Sequence, residues 1–287
     1  MGRGPVTEAA HSPSMRILAD LLESRTGQAL SDNRLWRIET SLKPVLQHNG
    51  LGSLDELAHA VGRNSTGRLA VQCVNALLNN ETSFFRDGRL FQMLGRDLLP
   101  DLIQRAEEAS RRRVLRIWCA GCSTGQEAYS VAMLFANTTD LWKDWRLQIL
   151  ATDVSDTAIE RARSGLFSQM DVQRGLAIND LLRWMTPQDS QWRIDNRLRE
   201  MIDFRVDNLL SPARSGEEYD IIFCRNVLLY FPPDRKKRIF DRLARCSRPG
   251  SYLLLGAGET AMEHTEHFAA SSRFRGAYER MGTGYTA

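Results

Sequence analysis

The chain has 287 residues, enough to bury a full core in one large domain plus a smaller one. Its 38 Lys and Arg against 35 Asp and Glu give a net charge of +3, a near balance that does not call for a nucleic-acid partner, although a pI of 8.7 suits an acidic one. No apolar run of about eighteen residues is present, and the start MGRGPVTEAAHSPS lacks an apolar leader core, so the sequence reads as soluble, unsecreted and not inserted in a membrane. Five cysteines in a chain this long do not amount to a disulfide framework. Cys119 and Cys122 match CxxC, but with no second pair and no histidine pair at ligand spacing they are expected to be structural, with no metal bound.

Residues 1–14, rich in Gly, Pro and Ser, are expected to be disordered. From Met15 to about Leu78 the apolar spacing is helical: Ile17, Leu18, Leu21, Leu22; Leu35, Ile38, Leu42, Val45; Leu54, Leu57, Val61; Leu69, Val74, Leu77. This predicts about four short helices, with caps at Ser31-Asp32-Asn33 and at Ser53, the latter boxed by Glu56, and stops at Gly27, Asn49-Gly50 and Gly62. Residues 84–110 predict a further helix or two, broken at Pro100. The basic run Arg111-Arg112-Arg113 reads as a solvated helix end. An α/β rhythm follows: strand 114–119, helix 126–137, strand 146–152, helix 155–164, strands 202–206 and 219–224, helix 233–247 and strand 251–256. Turn-rich residues 165–202 interrupt it, and 273–282 offers a closing hairpin pair.

Within that rhythm VLRIWCAGCSTGQ, Val114 to Gln126, and LQILATD, ending at Asp153, form a nucleotide-binding βαβ unit. Gly121 and Gly125 let the chain turn sharply and let a ligand approach the backbone. Asp153 closes the second strand 28 residues past Gly125, where a carboxylate accepts hydrogen bonds from ribose hydroxyls. The loop is neither GxGxxG nor a P-loop, which argues against a dinucleotide, an NAD-dependent dehydrogenase or a nucleoside triphosphate. An adenosine ligand without pyrophosphate remains, with S-adenosylmethionine as the candidate. Further polar groups follow strands, where doubly wound sheets hold their ligands: Asp207-Asn208-Leu209-Leu210, Cys224-Arg225-Asn226-Val227, and Tyr230 just beyond. Asn208 suits an adenine edge, Leu209 an apolar contact, and Asn226 the same cleft. By itself Asn79–Arg86 reads as structural, with Phe84 and Phe85 stapling a helix to the core.

NETSFFR, GCSTGQEAYS, ATDVS, FxxDNLL and IIFCRNVLLYF occur in this order, and together they resemble the CheR family of chemotaxis-receptor methyltransferases. The resemblance covers roughly residues 15–282. It implies a class I, Rossmann-like α/β methyltransferase fold, a small N-terminal helical domain with its connection over 15–85, and a catalytic domain over 86–287 carrying a β subdomain at about 165–202. By the same resemblance Asn80, Thr82 and Arg86 reach the cofactor from the interdomain connection, and Glu127, Asp153, Asn208, Leu209, Arg225 and Asn226 complete the pocket that the glycine loop begins at Gly121. Arg86 would hold the methionine carboxylate of the cofactor through two parallel hydrogen bonds. Gln126 stands where the family often has Glu, and Ala128 where it has Pro; Glu127 is retained, so binding is expected to persist.

The implied reaction moves a methyl group from S-adenosylmethionine to glutamates on the cytoplasmic helical region of a methyl-accepting chemoreceptor, leaving S-adenosylhomocysteine, in the cytoplasm. A carboxylate of pKa about 4.3 is ionised at neutral pH and needs no strong base. Tyr230 is the candidate for positioning near the transferred methyl. Two other readings share the glycine loop: a class I methyltransferase with another substrate, and a non-catalytic module that senses the cofactor in a chemosensory complex. Some family members dock a receptor C-terminal pentapeptide on the β subdomain through a longer, glycine-containing turn. Trp184–Trp192 has no glycine, so this chain is expected not to depend on that peptide and to read the receptor through its helical domain.

Overall fold

The structure, a computed structural model, describes residues 12–31, 34–138, 144–214 and 216–282. Its contacts group into two units, Met1–Asn79 with Tyr230–Arg235, and Asn80–Leu229 with Lys236–Ala287. None of the described helices is long and apolar enough to cross a membrane. The expected disordered start falls mostly on residues 1–11, outside the described residues, and the first helix already begins at Pro13.

Among its described residues the first unit holds four α-helices: α1 (Pro13–Thr26), α2 (Arg37–His48), α3 (Leu54–Arg63) and α4 (Arg68–Leu77). Leu18, Leu22, Ile38, Leu42 and Leu57 come from successive helical turns and are almost wholly buried, so the spacing seen in the sequence is the bundle core. Gly27 ends α1 at φ 80°, a left-handed turn that glycine makes without steric cost. Ser53 caps α3 by accepting from the Glu56 N–H at 3.2 Å, but the Glu56 carboxylate reaches the N–H of Gly52 rather than that of Ser53. Gly62 lies inside α3 instead of ending it. Helix α2 starts at Arg37, past the expected Ser31-Asp32-Asn33 cap, of which Asp32 and Asn33 lie outside the described residues. Tyr230 belongs to this unit: its carbonyl accepts from the Ala29 N–H at 2.9 Å, its hydroxyl accepts from the Asn79 amide, and Arg34 sits 5.6 Å from its ring centroid.

The second unit opens with α5 (Gly88–Met93), a π-turn at Leu94–Leu98 and α6 (Leu99–Glu108), which run on without interruption. Pro100 therefore does not break the helix. Proline has no N–H to give and crowds the carbonyl four residues earlier, and the wider π-turn directly before it relieves that crowding. The α/β core follows as β1 (Val114–Ala120), α7 (Gln126–Asn137), β2 (Arg146–Asp153), α8 (Asp156–Ser164), β3 (Leu166–Ser168), α9 (Gln169–Gln173), α10 (Ile178–Trp184), β4 (Met185–Gln188), β5 (Gln191–Ile194), α11 (Asn196–Arg199), β6 (Ile202–Val206), β7 (Tyr219–Cys224), α12 (Pro233–Arg245), β8 (Ser247–Leu255), β9 (Phe268–Ala270) and β10 (Ala277–Arg280).

Seven strands make one sheet in the order β6-β2-β1-β7-β8-β10-β9, parallel from β6 to β8 and antiparallel at β10. Strand alternation places Leu115, Ile117 and Cys119 on one face, in a core shared with Leu98, Leu102, Tyr129 and Ala132, while Trp118 faces the other way beneath Arg242 of α12 at 5.2 Å. Order reverses between β1 and β7, and crossovers leaving to opposite sides there open a cleft at the carboxyl ends of the strands. Between α8 and β6 the chain forms a small sheet, β3-β5-β4, whose β4–β5 hairpin turns through Asp189 and Ser190. At the amino ends of β1 and β7 the Arg111-Arg112-Arg113 run is exposed just past α6, as expected of a solvated helix end, and Arg111 has a buried partner as well. It donates to the buried Asp220 carboxylate at 2.6 Å, alongside Arg248 at 2.7 Å and the Arg116 N–H at 2.8 Å.

Candidate cofactor site

Gly121 begins the loop after β1 at φ 86°, and its N–H donates to the Thr152 carbonyl at 2.8 Å. A Cβ there would lie 2.4 Å from Val227 Cγ2, so only glycine lets the loops after β1 and β7 meet. Gly125, at φ 95°, is the N-cap of α7, and a Cβ on it would lie 2.9 Å from that of Ala162. Between them the Ser123 N–H donates to Asp153 at 2.8 Å, and the Ser155 N–H does so at 3.0 Å. Burial raises the Asp153 carboxyl above its ordinary pKa, against the opposing pull of these N–H donors. Two carboxylate oxygens offer about four acceptor positions, so the carboxylate keeps acceptor capacity for a ligand.

Glu127, in the first turn of α7, accepts from Arg225 Nη1 at 3.0 Å. The Arg225 side chain is only 1 % exposed, and its Nη2 also reaches the Arg86 carbonyl at 3.1 Å and the Asp87 carboxylate. Burial raises the Glu127 pKa, while the charge and hydrogen bond of Arg225 and the charge of Arg86 pull it down. The connection and the glycine loop are joined again where Ser123 Oγ donates to the Asn80 carbonyl at 2.8 Å. Arg86 itself donates to the Glu81 carbonyl at 3.2 Å. Phe84, buried against Phe167 at 5.0 Å, does staple the connection to the core, as the residues alone suggested.

Asn208 Oδ1 accepts from the Leu210 N–H at 2.9 Å, while its carbonyl and the Asp207 carboxylate are held by Arg242. Leu209 is buried beside them. Asn226 stands just past the end of β7 at φ 58°, with its Oδ1 buried and without a hydrogen-bond partner among the described residues. Thus Gly121, Asp153, Glu127, Arg225 and Asn226 come from segments that touch one another. Asn80 and Thr82 line a cleft of about 290 Å³ with Thr124, Gln126, Thr157 and Arg161, beside the glycine loop, and Tyr230 lies in the helical unit. Gln126 accepts from Thr124 Oγ1 at 2.8 Å and is buried, so the amide serves as an internal acceptor there, and Ala128 is fully buried. Cys119 and Cys122 are buried free thiols.

One residue of the site escaped sequence reasoning. Glu259, four residues past β8, accepts from the N–H groups of Asn226, Val227 and Leu228. Nothing in GAGET marks it; its partners lie about thirty residues earlier in the chain.

Residues 80–276 match the family model described as CheR methyltransferase, SAM binding domain. The chain belongs to the CheR methyltransferase family. It is 34% identical to the chemotaxis protein methyltransferase Cher2 of Pseudomonas putida, over 86% of this chain and 90% of that one. It is 33% identical to the chemotaxis protein methyltransferase 1 of Pseudomonas aeruginosa, over 91% and 94% of the two chains. A chemotaxis protein methyltransferase of Vibrio parahaemolyticus is 32% identical over 88% and 91%. The fold is that of class I methyltransferases, the enzyme class is S-adenosylmethionine-dependent methyl transfer, and S-adenosylmethionine is the cofactor. The residues present fit this cofactor: a carboxylate with spare acceptor capacity at the end of β2 suits ribose, and the orphaned Asn226 Oδ1 suits an N–H donor.

Proposed function

We propose that the protein methylates glutamate side chains on the cytoplasmic helical region of a methyl-accepting chemoreceptor, giving glutamyl methyl esters and S-adenosylhomocysteine in the cytoplasm. The observation that carries this reading is the match, over nearly the whole length of both chains, to several chemotaxis protein methyltransferases. In it Asp153 accepts from the ribose hydroxyls, Asn208 and Leu209 border the adenine, Arg86 clamps the methionine carboxylate, and Asn226 accepts from an amino group of the cofactor. Asn80 and Thr82 complete the pocket from the connection, and Gly121 gives the close backbone approach. Arg225 and Glu127 fix the loops that carry these groups.

When bound, the cofactor supplies a methyl group on a positively charged sulfur, which an ionised glutamate carboxylate displaces in line. The chain's own task is to align the two and exclude water, effects worth at most about 7–11 kcal/mol. Tyr230, its hydroxyl held by the Asn79 amide, is assigned to positioning near the transferred methyl. Methyl transfer from labelled cofactor to membranes containing the organism's own receptors tests the reading. Base-labile label on receptor supports it; label on another substrate, or cofactor binding without transfer, replaces it with one of the two alternatives.

Receptor docking is proposed to bypass the C-terminal pentapeptide. The β4–β5 turn is two residues long, and the edge strand β4 carries Pro187, which has no N–H to offer an added strand. Titration with a peptide ending in the receptor pentapeptide is expected to show no binding, with methylation of a tail-truncated receptor intact; micromolar binding refutes it.

A further inference from the structure

We infer that Glu259 is a positioning residue for methyl transfer, its carboxylate fixing the loop after β7 and with it the direction of the Asn226 carboxamide. This rests on the assignment of Asn226 to the cofactor pocket. Beyond Cys224 the chain passes through Asn226 at φ 58° into a short 3₁₀ turn at Leu228–Tyr230. A left-handed residue followed by a helical turn points consecutive N–H groups to one side, an arrangement that ordinarily collects an anion. Here the protein supplies its own. Glu259 Oε2 accepts from Asn226 at 2.7 Å and from Gly256 at 2.8 Å, and Oε1 accepts from Val227 at 2.9 Å and Leu228 at 2.7 Å, with Leu229 at 3.4 Å.

The close approach is built into the sequence at Gly256. A Cβ there would lie 2.7 Å from Glu259 Oε2 and 2.8 Å from Asn226 Nδ2, so any side chain would part the loop after β8 from the loop after β7. Left-handed backbone is unfavourable for most residues with a Cβ, asparagine being among the more tolerant, and persists where surrounding contacts over-determine it. The charge-assisted bonds to Glu259 do that for Asn226. They hold in place a carboxamide whose Oδ1 has no partner of its own among the described residues. Glu259 acts through Asn226 and is not itself placed against substrate or cofactor.

The test is a double-mutant cycle on the full-length protein, read as S-adenosylhomocysteine affinity by calorimetry, with thermal melting as the check on folding. In Glu259→Gln an NH2 group replaces one acceptor oxygen and opposes the N–H groups of the loop. Affinity is expected to fall at least tenfold, to the level of Asn226→Ala, and the double variant is expected to bind no more weakly than Asn226→Ala alone. Wild-type affinity in Glu259→Gln, or losses that multiply in the double variant, overturn the inference while leaving the pocket assignment standing. Unchanged affinity in Asn226→Ala overturns the pocket assignment and the inference together. Should Glu259→Gln fail to fold, Glu259→Asp keeps the charge but is one methylene too short to span both loops. It is expected to bind three- to tenfold more weakly, again without further loss in the Asn226→Ala background; multiplying losses there overturn the inference too.

Discussion

The Arg225 guanidinium, almost wholly buried, donates to the Glu127 carboxylate at 3.0 Å and so ties the loop after β7 to the first turn of α7. Removing one partner of such a pair leaves a buried charge without compensation, a cost of about 3–5 kcal/mol. Arg225→Ala should lower the denaturant midpoint accordingly. A midpoint within error of wild type would mean that water replaces the pair readily and that the loops are held by other contacts.

Asp153→Ala is expected to weaken S-adenosylhomocysteine binding by roughly 1–3 kcal/mol, about five- to 150-fold, because ribose donors lose their acceptor. Circular dichroism of the variant should match wild type. Equal affinity in calorimetry removes Asp153 from the pocket.

Burial holds the Asp153 and Glu127 carboxyls above the ordinary carboxylate range, and this sets a pH dependence. A carboxyl raised in the folded state binds its proton more tightly there than in the unfolded chain. Its stabilising contribution is present below the unfolded pKa and is lost as pH rises through the folded one. Ribose hydroxyls donating to Asp153 favour the ionised form. Affinity should therefore decline as pH falls from about 7 toward the raised carboxyl range, and binding there should release protons. Calorimetry in two buffers of different ionisation enthalpy measures the release, which should vanish in Asp153→Asn.

Arg86→Lys keeps the charge and loses the planar fork. The expected outcome is a higher KM for S-adenosylmethionine and turnover well below wild type at physiological cofactor concentration. Wild-type kinetics would return Asn80–Arg86 to the purely structural role that Phe84 already plays for this segment.

Gly121→Ala adds a methyl group at φ 86° into Val227, two penalties at one site, and should cost about 1–3 kcal/mol from overpacking in addition to backbone strain. A paired Val227→Ala change opens room for the methyl and should recover the packing part of the loss but not the backbone part. Complete recovery of the melting temperature in the double variant would show that the left-handed conformation carries no cost here.

Much of the doubly wound unit was legible because the central strand β7 is buried throughout and reads as an apolar run, while the edge strand β6 alternates buried and exposed residues. Helix α7 and strands β6 and β7 fall where the pattern put them. Strand β8 begins at Ser247, four residues before the expected 251, because Pro249-Gly250 reads as a turn; the pairing passes it by a register shift. The glycines of the loop after β1 were legible since only glycine solves their steric problem. Glu259 was not, because its work is a set of backbone contacts between distant segments, and no spacing encodes them. The same holds for the left-handed Phe85, a residue type that gives no sign of that backbone angle.

All five cysteines are free and buried, and burial pushes their thiols up, Cys73 to about 11. Thiolate is the species that reacts with maleimides and iodoacetamides, so the native protein offers such reagents almost no target. A single cysteine introduced on an exposed helix position would be the one reactive handle in an otherwise wild-type chain. Spin labels and fluorophores could thus report how either unit moves when cofactor or receptor is added, with no need to strip the natural cysteines from the core first.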